Sequence, residues 1–462
     1  MHYLHIWHDY SVKRFFHSLH ERFGDFWWYS ILIFIACRSG DAIQAFIGLW
    51  LVPHYVPQSE LGAALPLLQI GGAFGLPLSI LIIPFSRWLT IYAARGEYGK
   101  VKRMLSLAFR SVFVAFAVVV LAAHLILPHF FERLRIAEGS LGILIICTGL
   151  IGPFSNVFGN ALQGLKRFKT IAFVNAVGAP VRLVVMLVSM PFRALAGYML
   201  GQMSAPAVNI AVSCFSLRKD LGRAVKSVPL GRADVNEMLR YTIPVAVNLL
   251  IGTVMGTWQA LLIRQRLPEL ESAGFYIISR LAEVAAYAGM SLSVVVFPLA
   301  AEAREKGGDN NGLLWRLLGG TLLPGVAVTV LFVFGGKALL EAVPLWRDYV
   351  SCWPLLVLYT LRLAICTTYC VFSTYEIAAG RFAFLWYWIP FALLETGALV
   401  VLTGYSAFNG ILPSGIVDWM ASVSAARLDF FVWWLLGCST AQMLAVVVHV
   451  FWRTRRARKR VK

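Results

Sequence analysis

The chain has 462 residues, of which 59% are hydrophobic and only 14% charged, with a mean hydropathy of +0.72. Soluble domains carry about a quarter charged residues, so this composition excludes a soluble globular protein. The formal net charge of +18 would suit nucleic acid. No zinc-finger spacing, helix-turn-helix or RNP-like segment accompanies it, however, and membrane proteins gather Lys and Arg on one face for topological reasons, so nucleic acid is excluded as a partner.

Residues 1–26 lack the apolar core and small-residue cleavage site of a secretory signal. Phe15, Leu19 and Phe23 recur at helical spacing among Lys13, Arg14, His17 and Arg22. This predicts an amphipathic helix lying on the membrane surface. A bilayer core takes about 20 apolar residues per helix. On that ruler twelve spans follow, near 27–51, 61–85, 104–128, 141–163, 170–190, 195–217, 239–263, 275–300, 313–335, 350–375, 382–404 and 430–452.

Basic residues set the orientation. The N-terminus, the loops after even-numbered spans and the tail "RTRRARKRVK" hold most of the Lys and Arg, including Lys100, Lys102, Arg103, Lys166, Arg218 and Lys226. The opposite loops hold few. This asymmetry predicts a multi-pass protein of the inner (plasma) membrane with both termini in the cytoplasm.

Short segments recur at one offset. "LSILIIP" (78–84) matches "LSVVVFP" (292–298), and "GLKRF" (164–168) matches "AAGRF" (378–382), each 214 residues on; Gln44 and Gln259 are 215 apart. The agreement predicts an all-α membrane protein built from two related six-helix halves. Six is even, so the halves are parallel repeats with a cleft between them. The expected organisation is an interfacial segment 1–26, an N-lobe 27–217, a cytoplasmic linker 218–238, a C-lobe 239–452 and a basic cytoplasmic tail 453–462. Two lobes that rock about a cleft suit alternating-access transport.

Charges placed inside spans cost roughly 2.5–3.5 kcal/mol each on insertion scales, so they face water or one another. Arg38 and Asp41 fall in the first span, Arg182 in the fifth, Arg280 and Glu283 in the eighth, Arg362 in the tenth and Glu395 in the eleventh. Arg38–Asp41 and Arg280–Glu283 share an Arg-x-x-acid spacing that puts both members on one helical face. Either pair is a self-neutralising structural bridge or part of a binding site. Arg182 and Arg362 have no acid three or four residues away. Glu395 is one residue off the repeat equivalent of Arg182, which makes a contact between lobes conceivable. Four arginines against three acids give these positions a positive bias, reinforced by Arg87 at the end of the second span. Intramembrane amides such as Gln44, Asn248 and Gln259 either glue helices together or read sugar hydroxyls in the cleft.

Other chemistry is scarce. The seven cysteines sit in apolar runs without a Cys-x-x-Cys pair and read as small apolar fillers. His2, His5 and His8 space like metal ligands but carry no further support, so no metal and no cofactor is expected. No phosphate-cradling loop is present, which excludes ATP as the direct energy source. The segment 405–429 offers Asp418, Arg427 and Asp429 but no catalytic constellation, so the chain is not expected to be an enzyme.

The twelve spans in two halves, the second-span exit "PFSRWLTIYAARGEYGKVKRML" and its echo "FPLAAEAREKGGDN" resemble the multidrug/oligosaccharidyl-lipid/polysaccharide (MOP) exporter superfamily. Within it, residues 241–303 look most like the lipid-linked polysaccharide (O-antigen type) flippases. The resemblance implies a MATE-like fold with a V-shaped cavity lined by the first, second, seventh and eighth helices. It also implies a cationic cavity, with Arg38, Arg87, Arg182, Arg280 and Arg362 as substrate-binding candidates. Asp41, Glu283 and Glu395 would couple an ion or position these arginines. The implied substrate is a polyprenyl-diphosphate oligosaccharide flipped to the outer leaflet for cell-surface polysaccharide synthesis. Membrane lipids and other polysaccharide-assembly proteins are the implied partners. Energy would come from H⁺ or Na⁺ coupling or from the membrane potential. The alternatives are a MATE-type cation-coupled multidrug antiporter, whose cavity should be acidic and aromatic, and a membrane enzyme of polysaccharide assembly.

Overall fold

The computed structural model describes residues 35–36, 38–134, 141–165, 167–221, 228–305, 311–378, 380–402 and 428–461. The expected surface helix of 1–26, with His2, His5 and His8, and nearly all of 405–429 lie outside the described residues. The first helix, α1, runs from residue 38 through a π-helical turn at Ile47–Leu51 and a last turn at Val52–Tyr55. It is followed by α2 (Gln58–Ala94), α3 (Tyr98–Leu134), α4 (Leu141–Gly164), α5 (Phe168–Ser189) and α6 (Ala194–Leu221). The second half holds α7 (Arg232–Arg266), α8 (Glu269–Glu305), α9 (Asn311–Ala342), a 3₁₀ segment (Pro344–Cys352), α10 (Trp353–Ala378), α11 (Leu385–Leu402) and α12 (Leu428–Val461).

Among the described residues, eight helices are long and apolar enough to cross a membrane, and the chain is a multi-pass membrane protein. Several helices outrun the apolar windows that mark them in the sequence. The 37 residues of α2 rise about 55 Å, against a hydrocarbon core of about 30 Å. Hydropathy registers only the apolar stretch of a helix, whereas backbone hydrogen bonding continues among polar side chains beyond it. For the same reason α6 continues through Arg218 to Leu221 and α12 carries the basic tail as helix to Val461. At its far end α2 stops where Gly96 takes a left-handed φ of +74°, a backbone state open to glycine without strain.

Helix neighbours repeat between the halves. α2 packs on α4 as α8 packs on α10; α4 on α6 as α10 on α12; α5 on α6 as α11 on α12. The halves meet through α2 against α7 and α8, and through the π turn of α1 against α8. These last pairings are two-fold mates of one another, as a parallel repeat requires.

Two apolar clusters span this seam. One joins Leu51, Leu61 and Leu67 to Leu262, Tyr276 and Leu281. The other, nearer the Lys/Arg-rich loops (the basic end), joins Trp88, Leu89 and Tyr92 to Tyr241 and Val245. Polar contacts add to both. At the basic end the Lys100 ammonium lies 2.8 Å from Glu97 and 3.5 Å from Asp234 of α7. Hydrogen bonding to Glu97, with Asp234 beyond, raises the Lys100 pKa, so this clasp keeps its charge through neutral pH. At the opposite end Arg264 donates to the Ser59 carbonyl at 2.7 Å. The Trp346 indole donates to the Leu49 carbonyl at 2.9 Å. The V-shaped cleft implied by the resemblance is thus crossed by contacts at both ends.

The tightest point of the seam is Gly62, where a Cβ would sit 2.3 Å from Ser272 Oγ and 3.0 Å from its backbone carbon. Gly62→Leu is expected to wedge α2 from α8 at this end. A spin-label distance across the two helices should lengthen; an unchanged distance would show that they are held apart elsewhere.

Candidate functional site

Helical spacing places Arg38 and Asp41 on one face of α1, and Arg280 and Glu283 on one face of α8. Both pairs form. Arg38 Nη2 lies 2.9 Å from Asp41 Oδ2, with both side chains about one-third exposed. Arg38 Nη1 also donates across the seam to the Tyr287 carbonyl of α8. Arg280 Nη1 reaches both Glu283 oxygens, at 2.8 and 2.9 Å, and the Tyr287 hydroxyl donates to Glu283 Oε2 at 3.1 Å. The Arg280 guanidinium stands 5.3 Å over the Tyr276 ring, and its aliphatic stem fills the space left by Gly48 in the π turn of α1. A π turn and a glycine together let the α8 arginine lie against the α1 backbone.

The two arginines without acids in their own helices are treated differently by the fold. Arg182 of α5 donates Nη1 to the Gln44 side-chain carbonyl of α1. It is half-buried, and no carboxylate lies within ion-pair distance of it among the described residues. Arg362 of α10 is buried and does find an acid: Nη2 lies 3.3 Å from Glu395 Oε1 of α11 and 3.0 Å from Gln259 Oε1 of α7. Gln259 Nε2 in turn donates to Glu395. The contact between lobes considered for Arg182 and Glu395 is not made. Each residue instead meets the repeat-equivalent glutamine of its own half, Gln44 for Arg182 and Gln259 for Glu395. The first-to-fifth helix contact is therefore kept in both halves with the charge reversed. Arg362 supplies the cation that the reversal requires.

Tyrosines tie these groups together, and the sequence reading missed them. Tyr198 lies within electrostatic reach of Arg182 and Arg280, and Tyr359 within reach of Arg362, Arg280 and Glu283. Tyr276 and Tyr287 stand four residues from Arg280 and Glu283 respectively. That spacing is a helical-face signal written in the sequence itself. Among the described residues, the group around α1, α5 and α8 holds three guanidiniums (Arg38, Arg182, Arg280) against two carboxylates (Asp41, Glu283), a surplus of one positive charge. The Arg362–Glu395 group is neutral. Asn248 is half-buried on α7. Arg87 lies on α2, with its side chain outside the described residues. No cluster of metal ligands occurs among the described residues.

No family model matches the sequence, and no curated protein is similar to it. Solved structures are similar in fold. A multidrug resistance MATE family transporter of the MOP superfamily in its inward-facing conformation superposes with a TM-score of 0.60 at 12% identity, over 92% of this chain and 99% of that one. Its outward-facing counterpart gives a TM-score of 0.58 at 13% identity, over 92% and 95%. A MOP superfamily transporter from Pyrococcus furiosus, described by a binding pocket of reverse polarity that suggests a different function, gives 0.56 at 14% identity, over 92% and 95%. These likenesses span both six-helix halves: the chain has the all-α MATE-like fold seen in structures of MOP superfamily transporters.

Proposed function

We propose that the chain is an alternating-access transporter of the MOP type that moves an anionic, lipid-linked oligosaccharide from the inner to the outer leaflet, with its basic end in the cytoplasm. The observation that carries this reading is Arg182. Its guanidinium is half-buried at the α1/α5/α8 junction and, among the described residues, holds an uncharged amide and leaves the site one positive charge in surplus. Guanidinium suits a diphosphate because its forked donors bind phosphate oxygens bidentately. Arg38 and Arg280 stand beside it with carboxylates that an incoming diphosphate would compete against. The polyprenyl tail would remain in lipid while the polar head crosses. With the cytoplasm negative, each negative charge moved outward gains about 2.3 kcal/mol per 100 mV, so the membrane potential favours export.

A second reading, cation-coupled efflux, is favoured by one observation: two of the three solved structures above are multidrug MATE transporters. Reconstitution separates the two. Proteoliposomes containing the full chain are expected to flip a fluorescent polyprenyl-diphosphate oligosaccharide and to leave ethidium untransported. Arg182→Ala should slow flipping roughly tenfold to a hundredfold, the equivalent of ~1.5–3 kcal/mol for a hydrogen bond to a charged group. Arg182→Lys should recover part of the rate. Ethidium export without glycolipid flipping would decide for efflux.

A further inference from the structure

A cavity of about 470 Å³ opens at the basic end of the first half, between α3, α4 and α6. Its floor is apolar and buried, made by Leu105 of α3, Phe158 of α4 and Leu217 of α6. Its rim is cationic: Lys102 and Arg110 of α3 and Arg218 of α6 are all exposed. Lys102, Ser106 and Arg110 are spaced by four, so one face of α3 presents two cations and a hydroxyl along about 12 Å of groove. No acidic residue lines the cavity among the described residues.

The second half shows why the groove exists. Phe372, which stands 214 residues after Phe158, is fully buried, and its ring packs edge-on to His449 of α12 at 6.1 Å and to Phe384 at 6.2 Å. Beside Phe158, α6 presents Cys214 and Leu217, and no ring of α6 lines the cavity among the described residues. The second half closes this position with the rings of His449 and Phe384; in the first, Phe158 packs edge-on against Phe154 of its own helix at 5.1 Å and the cavity remains, and Arg110 has its counterpart in Pro324.

We propose that this groove is a binding site for a phosphodiester-bearing amphiphile, and specifically for the headgroup and first acyl segment of an anionic phospholipid. Three cations on two helices match a phosphate, and the apolar floor matches a chain that free phosphate lacks. The position, at the level of the basic loops, is where an anionic leaflet supplies such headgroups. The site does not depend on which substrate is transported.

The purified full chain, incorporated into phosphatidylcholine nanodiscs with or without phosphatidylglycerol, tests this by native mass spectrometry and thermal unfolding. Wild type is expected to retain phosphatidylglycerol over phosphatidylcholine and to be stabilised by it. Arg110→Gln with Arg218→Gln should weaken retention by about fivefold for each cation removed, the size of a single Lys or Arg contact with an anionic surface. Arg110→Lys with Arg218→Lys keeps the charges and should keep the preference, which controls for folding. The proposal is overturned if wild type shows no preference for phosphatidylglycerol or if the glutamine pair retains it. It is equally overturned if inorganic phosphate alone stabilises the chain as well as the lipid does.

Discussion

Arg362→Ala is expected to lower the unfolding free energy by about 3–5 kcal/mol, the cost of leaving one member of a buried ion pair without its partner. The stranded group is Glu395, whose side chain is 1% exposed and whose remaining partner, Gln259, is uncharged. Thermal unfolding of the purified protein in detergent should therefore show a large drop, together with a loss of folded yield in membranes. Arg362→Met combined with Glu395→Leu removes both charges and should restore most of the stability, since apolar residues of similar volume replace buried pairs at little net cost. Transport by that double variant then reveals whether Arg362 also meets the substrate. If it transports normally, Arg362 is a structural cation. If it is stable but inactive, Arg362 contacts the headgroup as the sequence reading expects. An alanine variant as stable as wild type would refute the buried pair itself.

The second large effect lies in the packing of α2 on α4. A Cβ on Gly149 would stand 1.9 Å from the Gly71 carbonyl oxygen, and one on Gly75 would stand 2.1 Å from the Gly149 carbonyl oxygen. These are backbone atoms, with no flexible side-chain end to move aside, so the two helices must separate. Gly149→Ala should cost at least the upper end of the ~1–3 kcal/mol typical of overpacking. Gly72, one residue along, has nothing within 4 Å of where its Cβ would stand. Gly72→Ala should be neutral or stabilising by up to about 1 kcal/mol, because alanine loses less freedom than glycine on entering a helix. Equal effects of the two substitutions would mean that α2 and α4 are not this close. Small residues serve this purpose in membranes because lipid offers helices no hydrophobic reason to associate, and close van der Waals contact must supply it.

Much of the site was legible one helix at a time. The pairs Arg38–Asp41 and Arg280–Glu283 are local, fixed by a spacing of three on a helix, and both form. The tyrosines at positions 276 and 287 follow the same local rule and could have been found with it. The partners of Arg182 and Arg362 could not. Gln44 is 138 residues from Arg182, and Glu395 is 33 residues from Arg362 on a different helix. The near-coincidence of Arg182 and Glu395 in the repeat pointed to a contact between halves, whereas the repeat instead placed each against the matching glutamine of its own half.

The sequence by itself determined the membrane character, the all-helical build, its duplication and the charges the helices carry. These follow from apolar run length, which the bilayer thickness sets, and from a recurring offset, and neither depends on what a helix touches. Only the tertiary structure decided which charges are neutralised, how closely α2 approaches α4, and where a basic groove stays open. Those depend on rotation and contact between helices far apart in the chain, and a hydrophobic helix surface carries little information about which neighbour it will meet.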